Sequence, residues 1–113
     1  MNARHRDVVS RLQNGEVVED YKESGNSMTP LIKHQQPVTL HPVDPTKLEK
    51  GDMVLCKVRG NMYTHKVVGV RKGQVQIGNN HGRINGWTSL DNVFGIVTSV
   101  DGRDVGGALK KVR

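Results

Sequence analysis

The sequence predicts a mostly-β domain preceded by one short helix. Three observations carry this. Short runs rich in Val, Ile, Leu and Thr recur along the chain, separated by Gly, Asn, Asp and Pro clusters that suit turns. A helical period occurs only near the N-terminus. At 113 residues, with 35% hydrophobic content and four aromatics, the chain has room for one limited, aliphatic, Val-rich core.

The first segment, residues 1–15, reads as the helix: Val8, Val9 and Leu12 share a face between Asn2 and Asn14, and Gly15 suits a C-terminal stop. One helix is too little for a helix-turn-helix. Residues 16–101 form the expected β domain. Glu16 to Glu23 reads as a strand or extended arm, imperfectly alternating because Val17 and Val18 are adjacent. Leu31 and Ile32 are expected to bury, Val38 to His41 reads as a strand between Pro37 and Pro42, and Leu48 reads as an inward anchor before the Gly51-Asp52 turn. Met53–Val58 and Met62–Val70 form an expected hairpin joined by Arg59-Gly60-Asn61. Gln74 to Ile77 is a short strand, Gly78 to Trp87 a loop, and Val93 to Val100 the last strand. Asp101-Gly102 then leads into a loose basic tail over residues 102–113.

The 17 Lys and Arg against 11 Asp and Glu give a charge of +6, scattered and partly concentrated at the two ends. That balance admits a nucleic-acid or acidic-peptide partner but supplies no nucleic-acid motif. The single cysteine, Cys56, lies in an apolar run, forms no intramolecular disulfide and reads as a buried small hydrophobe. With no apolar run of about 20 residues and a polar N-terminal stretch, the reading is a cytoplasmic protein without a membrane span. The five histidines and one cysteine show no metal-ligand spacing, and no phosphate-cradling Gly-rich motif is present, so no metal or cofactor is inferred. Oligomeric state is not encoded in any motif.

The chemistry centres on Gly25-Asn26-Ser27-Met28-Thr29-Pro30, where Gly25 frees the backbone and Pro30 restrains it around one small hydroxyl. The plain alternative is a Ser or Thr that caps a turn. Downstream, in order, come Gly51-Asp52-Met53-Val54, Tyr63-Thr64-His65-Lys66-Val67-Val68-Gly69, Ile77-Gly78-Asn79-Asn80 and Val93-Phe94-Gly95-Ile96-Val97. This ordered set resembles the superfamily that joins signal peptidases to the self-cleaving LexA and UmuD proteins, over about residues 24–100.

The resemblance implies a coiled, partly antiparallel β-sheet fold, Ser27 as nucleophile and His65 as base. Lys66 falls where the family has an Arg, and strand parity turns it away from the face that His65 shares with Tyr63 and Val67. A histidine accepts the serine proton at neutral pH without the desolvation a lysine base needs. Histidine-type signal peptidases orient that imidazole with an Asp; this chain has Asn79 after Gly78 and Asn85 at the later position. Asn79 and Asn85 are therefore support candidates, Asn26 a candidate oxyanion donor beside the Ser27 N–H, and Met28 and Pro30 the candidate peptide contacts. The implied activity is a soluble serine peptidase acting on an extended peptide. The alternative is a weak or inactive regulatory module on the same fold, of a kind common in phages, holding a protein or nucleic acid. LexA-type self-cleavage needs an Ala-Gly or Cys-Gly bond, and this chain has neither, so it is expected to stay intact.

Overall fold

A computed structural model describes residues 1–113. Its centre is the hairpin of β3 (Met53–Val58) and β4 (Asn61–Arg71). Arg59 and Gly60 form the connection at φ 51° and 84°. Two positive φ values make this the turn whose twist matches the flanking strands, so Asn61 belongs to β4 and pairs with Val58.

Around the hairpin lie β1 (Val18–Tyr21), β2 (Val38–His41), β5 (Gln74–Gly78), β6 (Ile84–Ser89), β7 (Val93–Val100) and β8 (Arg103–Asp104). They form one eight-stranded sheet in the order β1-β2-β7-β3-β4-β5-β6, with β8 added to β7. Every pairing is antiparallel. The expected plural, partly antiparallel sheets are thus one wholly antiparallel sheet. β1 carries a bulge at Asp20, φ 55°, which lets Val18 and Tyr21, three residues apart, both face the core, while Val17 before it is exposed by simple alternation.

Both faces of the sheet are covered. Alternation along β3 sends Met53 and Leu55 into one cluster and Val54, Cys56 and Val58 into another. The first is closed by α1 (Ala3–Gln13), whose Val8, Val9 and Leu12 are buried. Asn2 caps the N-terminus by accepting from the His5 N–H, and Gly15, φ 86°, ends the helix with paired bonds from Gly15 N–H to the Leu12 carbonyl and Glu16 N–H to the Arg11 carbonyl. A helix this short is marginal alone, so its packing holds it. Wholly buried Leu12 contributes about 2–5 kcal/mol by the usual cost of truncating such a side chain. The second cluster is enclosed because the sheet curls: Thr88 Oγ1 on β6 donates to the Lys57 carbonyl on β3 at 2.8 Å.

The structure corrects three local expectations. Ile32 is buried but Leu31 is exposed. The loop expected over residues 78–87 gives way to β6 from Ile84, where the half-buried Trp87 ring lies 4.0 Å from the Arg71 guanidinium. The tail is docked rather than loose. Asp101 and Gly102, φ 50° and 79°, turn β7 directly into β8, and Ala108 in the short helix Ala108–Lys111 is buried. Lys111 Nζ donates to Asp52 Oδ2 at 2.7 Å, and the Arg113 N–H donates to the Pro42 carbonyl at 3.0 Å. Asp52 accordingly has a structural place, also accepting from the Glu49 N–H at 2.8 Å. No helix is long and apolar enough to cross a membrane.

Candidate functional site

The Ser27 loop follows β1 and lies over β4. Ser27 Oγ is 3.0 Å from His65 Nε2. His65 is in register with Val54 of β3, is 8% exposed, and stacks on Tyr63 with ring centroids 4.8 Å apart. Residues two apart on a strand share a face, which makes Tyr63 a wall for the imidazole.

On its other side His65 Nδ1 is 2.7 Å from Asn85 Oδ1, presented by β6. A carbonyl oxygen only accepts, so Nδ1 carries the proton and Nε2 presents its lone pair to the Ser27 hydroxyl. Ser27 O–H therefore donates to His65, and His65 N–H donates to Asn85. Burial holds the imidazole below its usual pKa, opposed by the Asn85 hydrogen bond and the more distant Glu23 charge. The imidazole is thus neutral at neutral pH.

A cleft of about 170 Å³ adjoins the pair, lined on its apolar side by Met28, Ile32, Val38 and Met62 and carrying Glu23 and Lys33 among its polar residues. Met28 is 3% exposed and belongs to the core as well as the cleft. Pro30 lies outside that lining and borders a separate shallow groove with Leu31 and Val105. Asn26 engages through its carbonyl, which accepts from the Thr29 N–H at 3.2 Å and from its Oγ1–H at 2.9 Å. Asn79 closes its own turn: its Oδ1 accepts from the His81 and Arg83 N–H groups at 2.8 and 3.0 Å. Of the support candidates only Asn85 touches His65.

Two residues that sequence reasoning did not select also hold the Ser27 loop. Asn80 donates its N–H to the Ser27 carbonyl at 2.8 Å and its Nδ2–H to the Thr29 carbonyl at 3.0 Å. His81 Nε2 lies 2.9 Å from the Asn26 carbonyl and 3.0 Å from Thr29 Oγ1. Their signal was the polar pair Asn80-His81, whose partners Asn26, Ser27 and Thr29 are distant in sequence.

Elsewhere chemistry is sparse. Burial pushes the Cys56 thiol up to about 12, leaving it unreactive. No three His, Cys, Asp or Glu side chains gather to hold a metal ion. The basic ends are largely engaged internally: Arg4 binds Glu23 at 3.1 Å and the Lys22 carbonyl, Lys111 binds Glu49 and Asp52, and Arg113 reaches the Leu12 carbonyl at 3.3 Å. In comparisons with known proteins, the chain matches no family model, no curated protein and no solved structure.

Proposed function

We propose that this chain is a serine peptidase of the signal peptidase and LexA type, acting on an extended peptide through Ser27 and His65. The observation that carries the reading is the linear relay Ser27 Oγ, His65 Nε2, His65 Nδ1, Asn85 Oδ1, with steps of 3.0 and 2.7 Å. In it Ser27 Oγ attacks the peptide carbonyl carbon while its proton passes to His65 Nε2. The carbonyl π pair moves onto oxygen, and the Ser27 N–H, which donates to no backbone acceptor in the chain, is the oxyanion donor. Collapse expels the amine, which takes the proton from His65 and leaves an acyl-Ser27. Water, deprotonated by His65, then releases the acid. The peptide lies extended beside the cleft, one small apolar side chain entering it, with strand-edge pairing as its backbone support.

Reaction with a fluorophosphonate, read by intact mass, tests this. One adduct is expected on the wild type and none on Ser27→Ala or His65→Ala. Absence of an adduct on the wild type at neutral to mildly alkaline pH, or an adduct that survives Ser27→Ala, overturns the proposal.

The second reading, a binding module that retains the fold without turnover, is favoured by one observation: a neutral amide rather than a carboxylate faces His65 Nδ1. Of the basic ends it would use, Arg4, Lys111 and Arg113 are bound within the chain, whereas Lys110 is exposed. If it holds, charge reversal at Lys110 weakens partner binding in a salt-dependent way and fluorophosphonate leaves Ser27 unmodified.

A further inference from the structure

The strand that presents His65 also presents Lys66, and strand alternation sends these neighbours to opposite faces. Both lead back to the same serine. His65 reaches Ser27 Oγ directly. Lys66 Nζ donates to Asn80 Oδ1 at 2.9 Å, and Asn80 in turn donates to the carbonyls of Ser27 and Thr29, on either side of Met28. The orientation of the Asn80 amide is fixed by chemistry: an ammonium only donates and a carbonyl only accepts, so Oδ1 faces Lys66 and Nδ2 faces Thr29.

From this arrangement we infer that Asn80, oriented by Lys66, is the positioning residue that sets the Ser27 hydroxyl at reacting distance from His65. The inference rests on reading Ser27 as the nucleophile. Its physical basis is that a hydroxyl on a loop has to be held from its backbone before a single hydrogen bond to imidazole can be kept short. Asn80 takes hold of two carbonyls of that loop, and both they and the imidazole are referred to one rigid strand. The Ser27 hydroxyl and carbonyl are thus held from the two faces of β4. Asn85 governs the proton on the imidazole, while Asn80 governs where the serine stands.

The variant that separates positioning from plain stability is Asn80→Asp. A carboxylate keeps and strengthens the pairing with Lys66 but sets an acceptor against the Thr29 carbonyl, so the protein stays folded while the loop loses its second hold. Lys66→Met removes the orienting cation and leaves both Asn80 donors. Fluorophosphonate acylation is measured on wild type, Asn80→Asp and Lys66→Met, resolved into binding and bond-forming constants, together with melting temperature and amide exchange of residues 25–32.

Asn80→Asp is expected to lower the bond-forming constant about 10- to 100-fold, in line with the cost of misplacing a reacting group by an ångström. Probe binding stays within about twofold, melting is unchanged or higher, and exchange in the loop rises. Lys66→Met gives a smaller fall of the same kind. A bond-forming constant for Asn80→Asp equal to wild type overturns the inference. So does an equal loss in binding and bond formation accompanied by lower melting, which marks a general structural role. Should the wild type not acylate at all, the peptidase reading fails by itself, and unchanged loop exchange in Asn80→Asp then overturns the clamp separately.

Discussion

Ser27 and Thr29 each place a hydroxyl 3.0 Å from a histidine Nε2. Around Ser27 the third partner is Asn85 Oδ1, an acceptor on the far nitrogen of the ring, which leaves Nε2 free to take a proton. Around Thr29 the third partner is the Asn26 carbonyl, which lies 2.9 Å from both His81 Nε2 and Thr29 Oγ1. There Nε2 is the donor and the threonine proton points away from the imidazole. Burial differs too: His65 is 8% exposed, whereas His81 is open to solvent. Equal distances therefore describe a hydroxyl that donates to the ring in one place and one that accepts from it in the other, and the group beside each ring decides which.

The largest separation between the two pairs comes from removing each imidazole. His65→Gln is expected to lower the fluorophosphonate acylation rate roughly 10³-fold or more, as loss of a triad member does elsewhere. His81→Gln keeps an N–H for the Asn26 carbonyl and should leave the rate within about threefold. Comparable losses from both would erase the distinction.

Next comes Asn85→Asp, which puts a negative charge behind the His65 ring alone. Since an Asp-to-Asn change costs a related triad about 10⁴ in turnover, the reverse change here is expected to raise acylation by as much as that figure. It also raises the His65 pKa, so activity in the variant should begin to fall at a higher pH than in the wild type. A rate left unchanged or lowered would mean that the relay is not built for an imidazolium.

The pH dependence of the wild type sharpens the comparison further. With burial holding His65 below the 6.5 of a free imidazole, acylation should be flat above that value and decline only at lower pH. The stability change runs the same way. The unfolded chain binds the proton more readily, so the contribution of His65 burial is complete above 6.5 and is lost as pH falls from there to the folded-state value. Urea unfolding across that range measures it. An acid limb centred above 6.5 would contradict the desolvated, neutral base. Smallest of all, Thr29→Val removes the fastening bond at a cost of about 1 kcal/mol in stability, with acylation nearly untouched.

How much of this was legible depended on whether the determining contacts were local. The β3–β4 hairpin was readable because alternation and the Arg59-Gly60 turn are both encoded in adjacent residues. The helix was readable because its apolar face and Gly15 stop are local too. β6 was hidden: Asn85 and Gly86 weaken its strand signal, and its pairing with β5 arises only in the fold. The docked tail carries no periodicity and is held by distant partners, among them Asp52 and Pro42. Strand parity along residues 62–70 is enough to separate His65 from Lys66. It gives no hint that Lys66 returns to the same serine through Asn80, because that path crosses between segments far apart in sequence.

The packing of α1 has a consequence for how the protein is made. Leu12 rests over Gly95, so closely that a Cβ built there would sit 2.9 Å from its Cδ1, and Arg113 reaches back to the Leu12 and Gln13 carbonyls. A ribosome delivers the helix well before its seat on β7. Until β7 emerges, Leu12 lacks the Gly95 seat it has in the finished fold. The helix therefore reaches its final packing only late in synthesis, when Leu12 meets Gly95 of β7 and Arg113 reaches the Leu12 and Gln13 carbonyls.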